Sequence, residues 1–275
     1  MSIWFTEELH SYYRKGIHVK RVLADEQTQY QHIQVVETEF FGNALILDGI
    51  IQLTERDNIG YHEMIVHVPM LAVGTPKRVL IVGGGDGGSL QQVLRYRSVE
   101  EAVVCELDQR VVDLSREHFA SFGDPWADPR ARLLVRDAFG FLEENPGQFD
   151  VIISDTTDPI GMAERLFSDE FYKLMVRALV PGGTAATQCE QPFFDTELIK
   201  QIHISAKKLT QNPAYYYANI PTYPGGGIGF MYVSDTPWEN GLKTPFPPGM
   251  NNYINPEIHK AAFALPEFFR KELYG

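Results

Sequence analysis

The chain has 275 residues, 44% of them hydrophobic, a formal net charge of -12 and a pI near 5.1. That length supports one large domain or two modest ones around a substantial core. The acidic balance argues against nucleic acid or an anionic membrane as partner, since both call for Lys/Arg patches, and no apolar run nears the ~18 residues that span a bilayer.

The two cysteines, Cys105 and Cys189, show no paired-motif spacing and read as reduced thiols. The first residues lack the basic and apolar regions of a leader, so a soluble cytoplasmic protein is expected. Residues 17–23 and 30–37 alternate apolar and polar side chains as strands do. Residues 44–47 and 50–53 flank Asp48-Gly49, a dipeptide suited to a two-residue hairpin turn. Residues 1–56 are therefore expected to form a small antiparallel β domain, and 57–275 a second domain. Gln31 and Gln52 fall on the predicted strands, where periodicity alone reads them as exposed polar positions. Residues 57–72 read as a helix that carries Tyr61-His62-Glu63.

An apolar strand over 78–82 runs into Gly83-Gly84-Gly85-Asp86-Gly87-Gly88, and a helix over 89–95 follows. Strand, glycine turn and helix make the first half of a βαβ unit with GxGxxG spacing, which lets a ligand approach the backbone. Asp86 decides what kind of ligand. A carboxylate inside the turn repels a pyrophosphate and attracts a cation such as a sulfonium or an ammonium, unless Asp86 serves only as a helix cap. Strands are then predicted over 102–106, 131–136, 149–154 and 184–188, with helices over 109–120, 139–144, 168–179 and 195–209 between and after them. Two closing strands over 215–220 and 229–234 are expected to pair antiparallel at one edge. An irregular tail over 236–256 and one or two short helices within 257–273 complete the pattern. The fold class is α/β: a Rossmann-like, doubly wound sheet of methyltransferase type with the small β domain at its N-terminus.

Ligands of such sheets bind beyond the carboxyl ends of the strands. Asp86, Glu106, Asp137, Asp155 and Asp158 all lie at such ends. Glu106 stands roughly 20 residues after the glycine turn, where a carboxylate grips ribose hydroxyls. Asp137 alone reads as a helix cap, but one cap per helix leaves the pair Asp155/Asp158 without that explanation. No Cys/His cluster points to a metal, no GxSxG turn to a serine nucleophile, and no basic residue flanks the acids to hold phosphate. The remaining reading is an anionic crevice for two cations, a sulfonium donor and an amine acceptor. A protonated amine cannot attack carbon, so a carboxylate has to take its proton; Asp155 is the candidate base and Asp158 the group that orients the amine.

With these residues in hand, the chain resembles the aminopropyltransferase family, and its spermidine synthases most closely. The motifs that carry the resemblance run in family order: Trp4-Phe-Thr-Glu7, Tyr30-Gln31, Leu47-Asp-Gly49 with Gln52, Thr54-Glu-Arg-Asp57, Tyr61-His-Glu-Met64, Gly83 to Gly88, Asp155-Thr-Thr-Asp158-Pro159 and Pro221-Thr-Tyr-Pro224. The resemblance implies aminopropyl transfer from decarboxylated S-adenosylmethionine to putrescine, giving spermidine and 5'-methylthioadenosine. The donor is a co-substrate, and no cofactor or metal is implied. It also implies donor contacts from Gln31, Gln52, Glu106, Asp137 and Asp86, with Ala138 and Met162 at the adenine pocket. Amine-site residues would be Tyr61, His62, Asp86, Asp155, Asp158, Gln188 and Tyr223. Asp137-Ala138 and Gly161-Met162 stand where the family has Asp-Gly and Gly-Pro. A homodimer or homotetramer is expected, with no nucleic acid or membrane partner, and residues 156–170 are expected to form a gate. The alternatives are the same reaction on agmatine, cadaverine or spermidine, an S-adenosylmethionine-dependent methyltransferase, and a polyamine-binding protein without activity.

Overall fold

The computed structural model describes residues 3–246 and 252–275. Two sheets organise them. The first is antiparallel and runs in chain order: β1 (Ile3–His10), β2 (Tyr13–Gln27), β3 (His32–Thr38), β4 (Asn43–Leu47) and β5 (Ile50–Thr54). Leu47 pairs with Ile50 across Asp48-Gly49. Both turn residues have positive φ, 48° and 80°, as the expected two-residue turn requires. The leading hairpin β1–β2 goes beyond the strands assigned from alternation, because the polar residues Glu7, Glu8 and His10 interrupt its apolar pattern.

The second sheet has seven strands in the order β11-β12-β10-β9-β6-β7-β8. The parallel members are β6 (Arg78–Gly83), β7 (Glu101–Glu106), β8 (Ala131–Val135), β9 (Phe149–Asp155) and β10 (Leu179–Gln188). As expected, β11 (Ala214–Asn219) and β12 (Gly227–Ser234) join antiparallel at one edge. Helices α1 (Asn58–Val73), α2 (Gly88–Val93), α3 (Gln109–His118), α4 (Ala138–Glu144), α5 (Asp169–Ala178) and α6 (Pro192–Leu209) connect the strands, and α7 (Pro256–Ala262) and α8 (Glu267–Tyr274) end the chain. The expected irregular stretch over 236–256 contains a 3-10 turn at Trp238–Lys243; its residues 247–251 lie outside the described residues.

The strands that flank β6 are buried on both faces, and two apolar clusters, one on each side, hold the sheet. Helix α1 is buried on nearly its whole circumference, so its sequence reads as uniformly apolar with polar exceptions. Those exceptions are anchored. Glu63, fully buried, accepts the backbone N–H groups of Tyr253 and Ile254 at 2.8 Å each and so ties the C-terminal tail to α1. The strand order reverses between β6 and β9, and the carboxyl ends there open toward the first sheet. No helix among the described residues is long and apolar enough to cross a membrane.

Candidate active site

A cleft of about 1040 Å³ lies where the two sheets meet, lined from both. The glycine turn forms its floor. Gly83 and Gly84 have φ of 75° and 66°, and a Cβ on Gly83 would overlap the Asp155 carbonyl. The Gly84 N–H donates to that carbonyl at 2.8 Å, so the turn is pressed against the end of β9. Asp86 then faces the cleft. Its Oδ1 accepts the Gly88 N–H at 2.6 Å, which is part of a capping role, although Gly87 is the cap residue of α2. His62, on α1, places Nε2 3.2 Å from the same oxygen. One atom each of His62, Asp86 and Asp155 lies within 4.8 Å of the others.

Asp155 is buried, and Ser89 donates to its Oδ2 at 2.6 Å. Burial and the neighbouring Asp86 push its carboxyl up to about 6, against the opposing pull of His62, Ser89 and Tyr61. Burial also raises Asp158, which accepts a hydrogen bond from Gln188 Nε2 at 3.3 Å. Burial works against the charge on His62, but Asp86 more than offsets it and the imidazole titrates above its usual range. Tyr223 donates its hydroxyl to the Gln52 carbonyl, and its ring meets that of Tyr61 edge to face at 5.8 Å. Gln52 thus borders the cleft beside Tyr223.

The other end of the cleft is built on β7 and β8. Glu106 accepts N–H bonds from Leu107 and Asp108 at Oε1 (2.7 and 2.9 Å) and from Gly85 at Oε2 (3.1 Å). Burial nevertheless pushes its carboxyl up to about 7. A Cβ on Gly85 would come within 2.8 Å of Glu106 Oε2, so only glycine lets the turn and this carboxylate meet. Gln31 is held by its Nε2, which donates to Asp108 Oδ2 at 3.2 Å. Asp137 does cap α4, accepting the Phe139 N–H at 3.1 Å, and it also lines the cleft beside Ala138. Met162, half exposed, lies above them on the 3-10 segment Gly161–Phe167.

All the expected site residues border this one cleft. One expectation fails. Arg136 and Arg165 do flank the acids: Arg165 Nη1 donates to Asp137 Oδ2 at 3.1 Å, and Arg136 is held by Glu144 at 2.8 Å. Both guanidiniums are already engaged by carboxylates, and the segment carrying Arg165 only reaches Asp137 once the chain is folded.

Two family models match the chain: a spermine/spermidine synthase domain over residues 58–243 and a spermidine synthase tetramerisation domain over residues 3–55. The chain belongs to the spermine/spermidine synthase family. It is 41% identical to a spermidine synthase of Dictyostelium discoideum, covering 98% of this chain and 97% of the relative. It is 42% identical to a polyamine aminopropyltransferase of Thermoanaerobacter sp. (strain X514), covering 98% of each. A spermidine synthase solved in complex with the transition state analogue AdoDATO superimposes with a TM-score of 0.93 at 34% identity, covering 98% of this chain and 94% of that one. The spermidine synthase of Thermotoga maritima gives 0.91 at 33%, with the same coverage. The chain is accordingly an enzyme of the aminopropyltransferase class.

Several residues of this family member that shape the cleft carry no motif of their own. Ser89 holds Asp155, and Asp108 holds Gln31 while also accepting from Thr28 at 2.7 Å. Glu190, buried with φ of 40°, lines the cleft next to Gln188 and Asp158. That backbone strain, in a residue other than glycine, marks a position fixed by its surroundings. Asp195 and His10, 3.9 Å apart, close the far end, and His10 stacks on Phe194. Alternation and spacing do not single these out, because each acts through a partner or a cleft wall distant in the chain.

Proposed function

We propose that the enzyme transfers the aminopropyl group of decarboxylated S-adenosylmethionine to putrescine, releasing 5'-methylthioadenosine and spermidine. The observation that carries this is the convergence of Asp86, Asp155 and Asp158 on one cleft whose other end presents Glu106, Gln31 and Asp137. Both substrates are cations, and a crevice of carboxylates binds them side by side. That a relative of the same fold was solved with AdoDATO adds support.

In this reading Glu106 and Gln31 hold the ribose end, and Asp137 with Ala138 and Met162 borders the adenine. Asp86 holds the ammonium of the donor's aminopropyl arm, and the carboxylate of ordinary S-adenosylmethionine would be repelled there. Tyr61, His62, Gln188 and Tyr223 surround the acceptor path, and Asp158 orients the amine. Asp155 takes a proton from the attacking ammonium. The freed nitrogen lone pair then forms the new C–N bond while the C–S bond breaks. The electron pair stays on sulfur, which leaves as a neutral thioether, so no general acid is needed. No cofactor enters this balance. The division of the chain at 56/57, a homo-oligomer built through the N-terminal sheet and a cytoplasmic setting belong to the same proposal.

The test is incubation with the decarboxylated donor and an equimolar set of putrescine, cadaverine, agmatine and spermidine, with products identified by mass. Spermidine from putrescine should dominate. Equal or faster use of agmatine would overturn the acceptor, and methyl transfer without aminopropyl transfer would overturn the reaction.

A further inference from the structure

Asn58 occupies the first turn of α1, one helical turn before His62, so the two side chains share a face. Its Nδ2 donates to the carbonyls of Thr54 and Glu55, both at 2.9 Å. Both amide hydrogens are thereby committed, which fixes the orientation of the carboxamide and leaves Oδ1 facing His62 Nδ1 at 3.3 Å. A carboxamide oxygen only accepts, so Nδ1 has to carry a proton. On the far side of the ring, Nε2 stands 3.2 Å from Asp86 Oδ1, which already accepts the Gly88 N–H. An ionised carboxylate also only accepts. The ring therefore lies between two acceptors, and a neutral imidazole has one proton for the two of them.

We propose that Asn58 is a positioning residue that holds His62 doubly protonated, as a fixed imidazolium held between Asn58 and Asp86 with Asp155 close by. The ring has little freedom to do otherwise. It is 2% exposed, sits under Gly88 where no Cβ could fit, and is boxed by the edges of Tyr61 and Phe122 at 5.4 and 5.7 Å. The charged groups acting on it are Asp86 on the turn before α2 and Asp155 at the end of β9, both negative. The imidazolium occupies Asp86 Oδ1 and leaves Oδ2 for an incoming ammonium. Its positive charge also acts on both Asp86 and Asp155, two carboxylates that hinder each other's ionisation.

Two substitutions separate this role from simple support of the helix start. Asn58→Ala and Asn58→Asp both lose the bonds to Thr54 and Glu55, but only the second keeps an acceptor beside Nδ1. Titration of His62 by imidazole 15N and 13C chemical shifts reads the charge directly and is independent of the reaction. In the native enzyme both nitrogens should be protonated at pH 7. Asn58→Ala should lower the titration midpoint by roughly one pH unit or more, whereas Asn58→Asp should not lower it. The kinetic arm rests on the role proposed for Asp155: in Asn58→Ala the acid limb of kcat/KM for the amine should move to higher pH, and in Asn58→Asp it should not. An unprotonated Nδ1 in the native enzyme at pH 7, or one midpoint shared by all three proteins, would overturn the proposal. If Asn58→Ala does not fold, the native 15N shifts and the Asn58→Asp titration still decide it.

Discussion

In the proposed reaction, Asp155 is a carboxylate prepared for proton transfer. Its carboxyl is pushed up to about 6 by burial and by Asp86, while Ser89 fixes the direction in which it points. A base with that affinity takes a proton readily and is still mostly ionised at neutral pH. Asp155→Asn should lower kcat by roughly 10²–10⁴-fold, measured as methylthioadenosine release with the fold checked by circular dichroism. Native activity should fall as pH drops through about 6, because the base is then protonated. The same shift has a cost to stability. A carboxyl whose folded pKa lies above its unfolded value favours the fold at low pH, and that contribution is lost as pH rises from about 4 through about 6. The ligand-free Asp155→Asn variant should therefore be the more stable protein at pH 8, by on the order of 1 kcal/mol; an unchanged melting temperature would contradict the burial argument.

At the scale of elements, the segment between β9 and α5 is proposed to act as a movable wall. Its 3-10 turn, Gly161–Phe167, buries no residue and lines the cleft beside Asp137 and Ala138. Arg165 would be its latch, since it is bonded to Asp137 and stacked over the Phe139 ring at 3.8 Å. Both partners of the ion pair are about half exposed, so it contributes little to global stability, roughly 0–1 kcal/mol. Its effect should be local. Arg165→Ala should speed backbone hydrogen exchange over residues 160–168, raise the donor KM a few-fold and leave the melting temperature nearly unchanged. Exchange that is the same in both proteins would show that the wall is held by something other than Arg165.

Across the whole molecule, a buried ion pair of the first sheet also reaches the loop between β11 and β12 of the second. Lys15 Nζ on β2 lies 2.8 Å from Glu7 Oε1 on β1 and also donates to the Thr222 carbonyl, in the loop that carries Tyr223. Glu7 Oε2 accepts the Ile51 N–H at 2.8 Å, and Thr222 in turn donates its N–H and hydroxyl to Asp57. The N-terminal hairpin, β5 and the loop between β11 and β12 are thus tied together through the Lys15–Glu7 pair. Lys15→Met should cost about 3–5 kcal/mol by stranding a buried carboxylate. Adding Glu7→Gln should recover much of the loss. Burial already raises the Glu7 carboxyl with Lys15 present, so the single variant's deficit should shrink at pH 5 relative to pH 8, where a stranded Glu7 would be charged. Thermal melts of the three proteins at both pH values measure this.

By itself the chain order of residues determined the α/β class, the glycine turn after an apolar strand, the antiparallel pair at the sheet edge and the acids at successive strand ends. These are legible because they depend on local periodicity and on spacing along the chain. Asp86, Glu106, Asp155 and Asp158 were readable as a set for that reason. Which oxygen of Asp86 meets His62, the grip of Ser89 on Asp155, the reach of Arg165 to Asp137 and of Lys15 to Thr222 were decided only by tertiary structure. Each joins segments 24 to 207 residues apart in the chain, and pairings at such distances leave no repeating pattern in either segment alone. The charge of the cleft was thus written locally, whereas its counter-charges and supporting hydrogen bonds were set by packing.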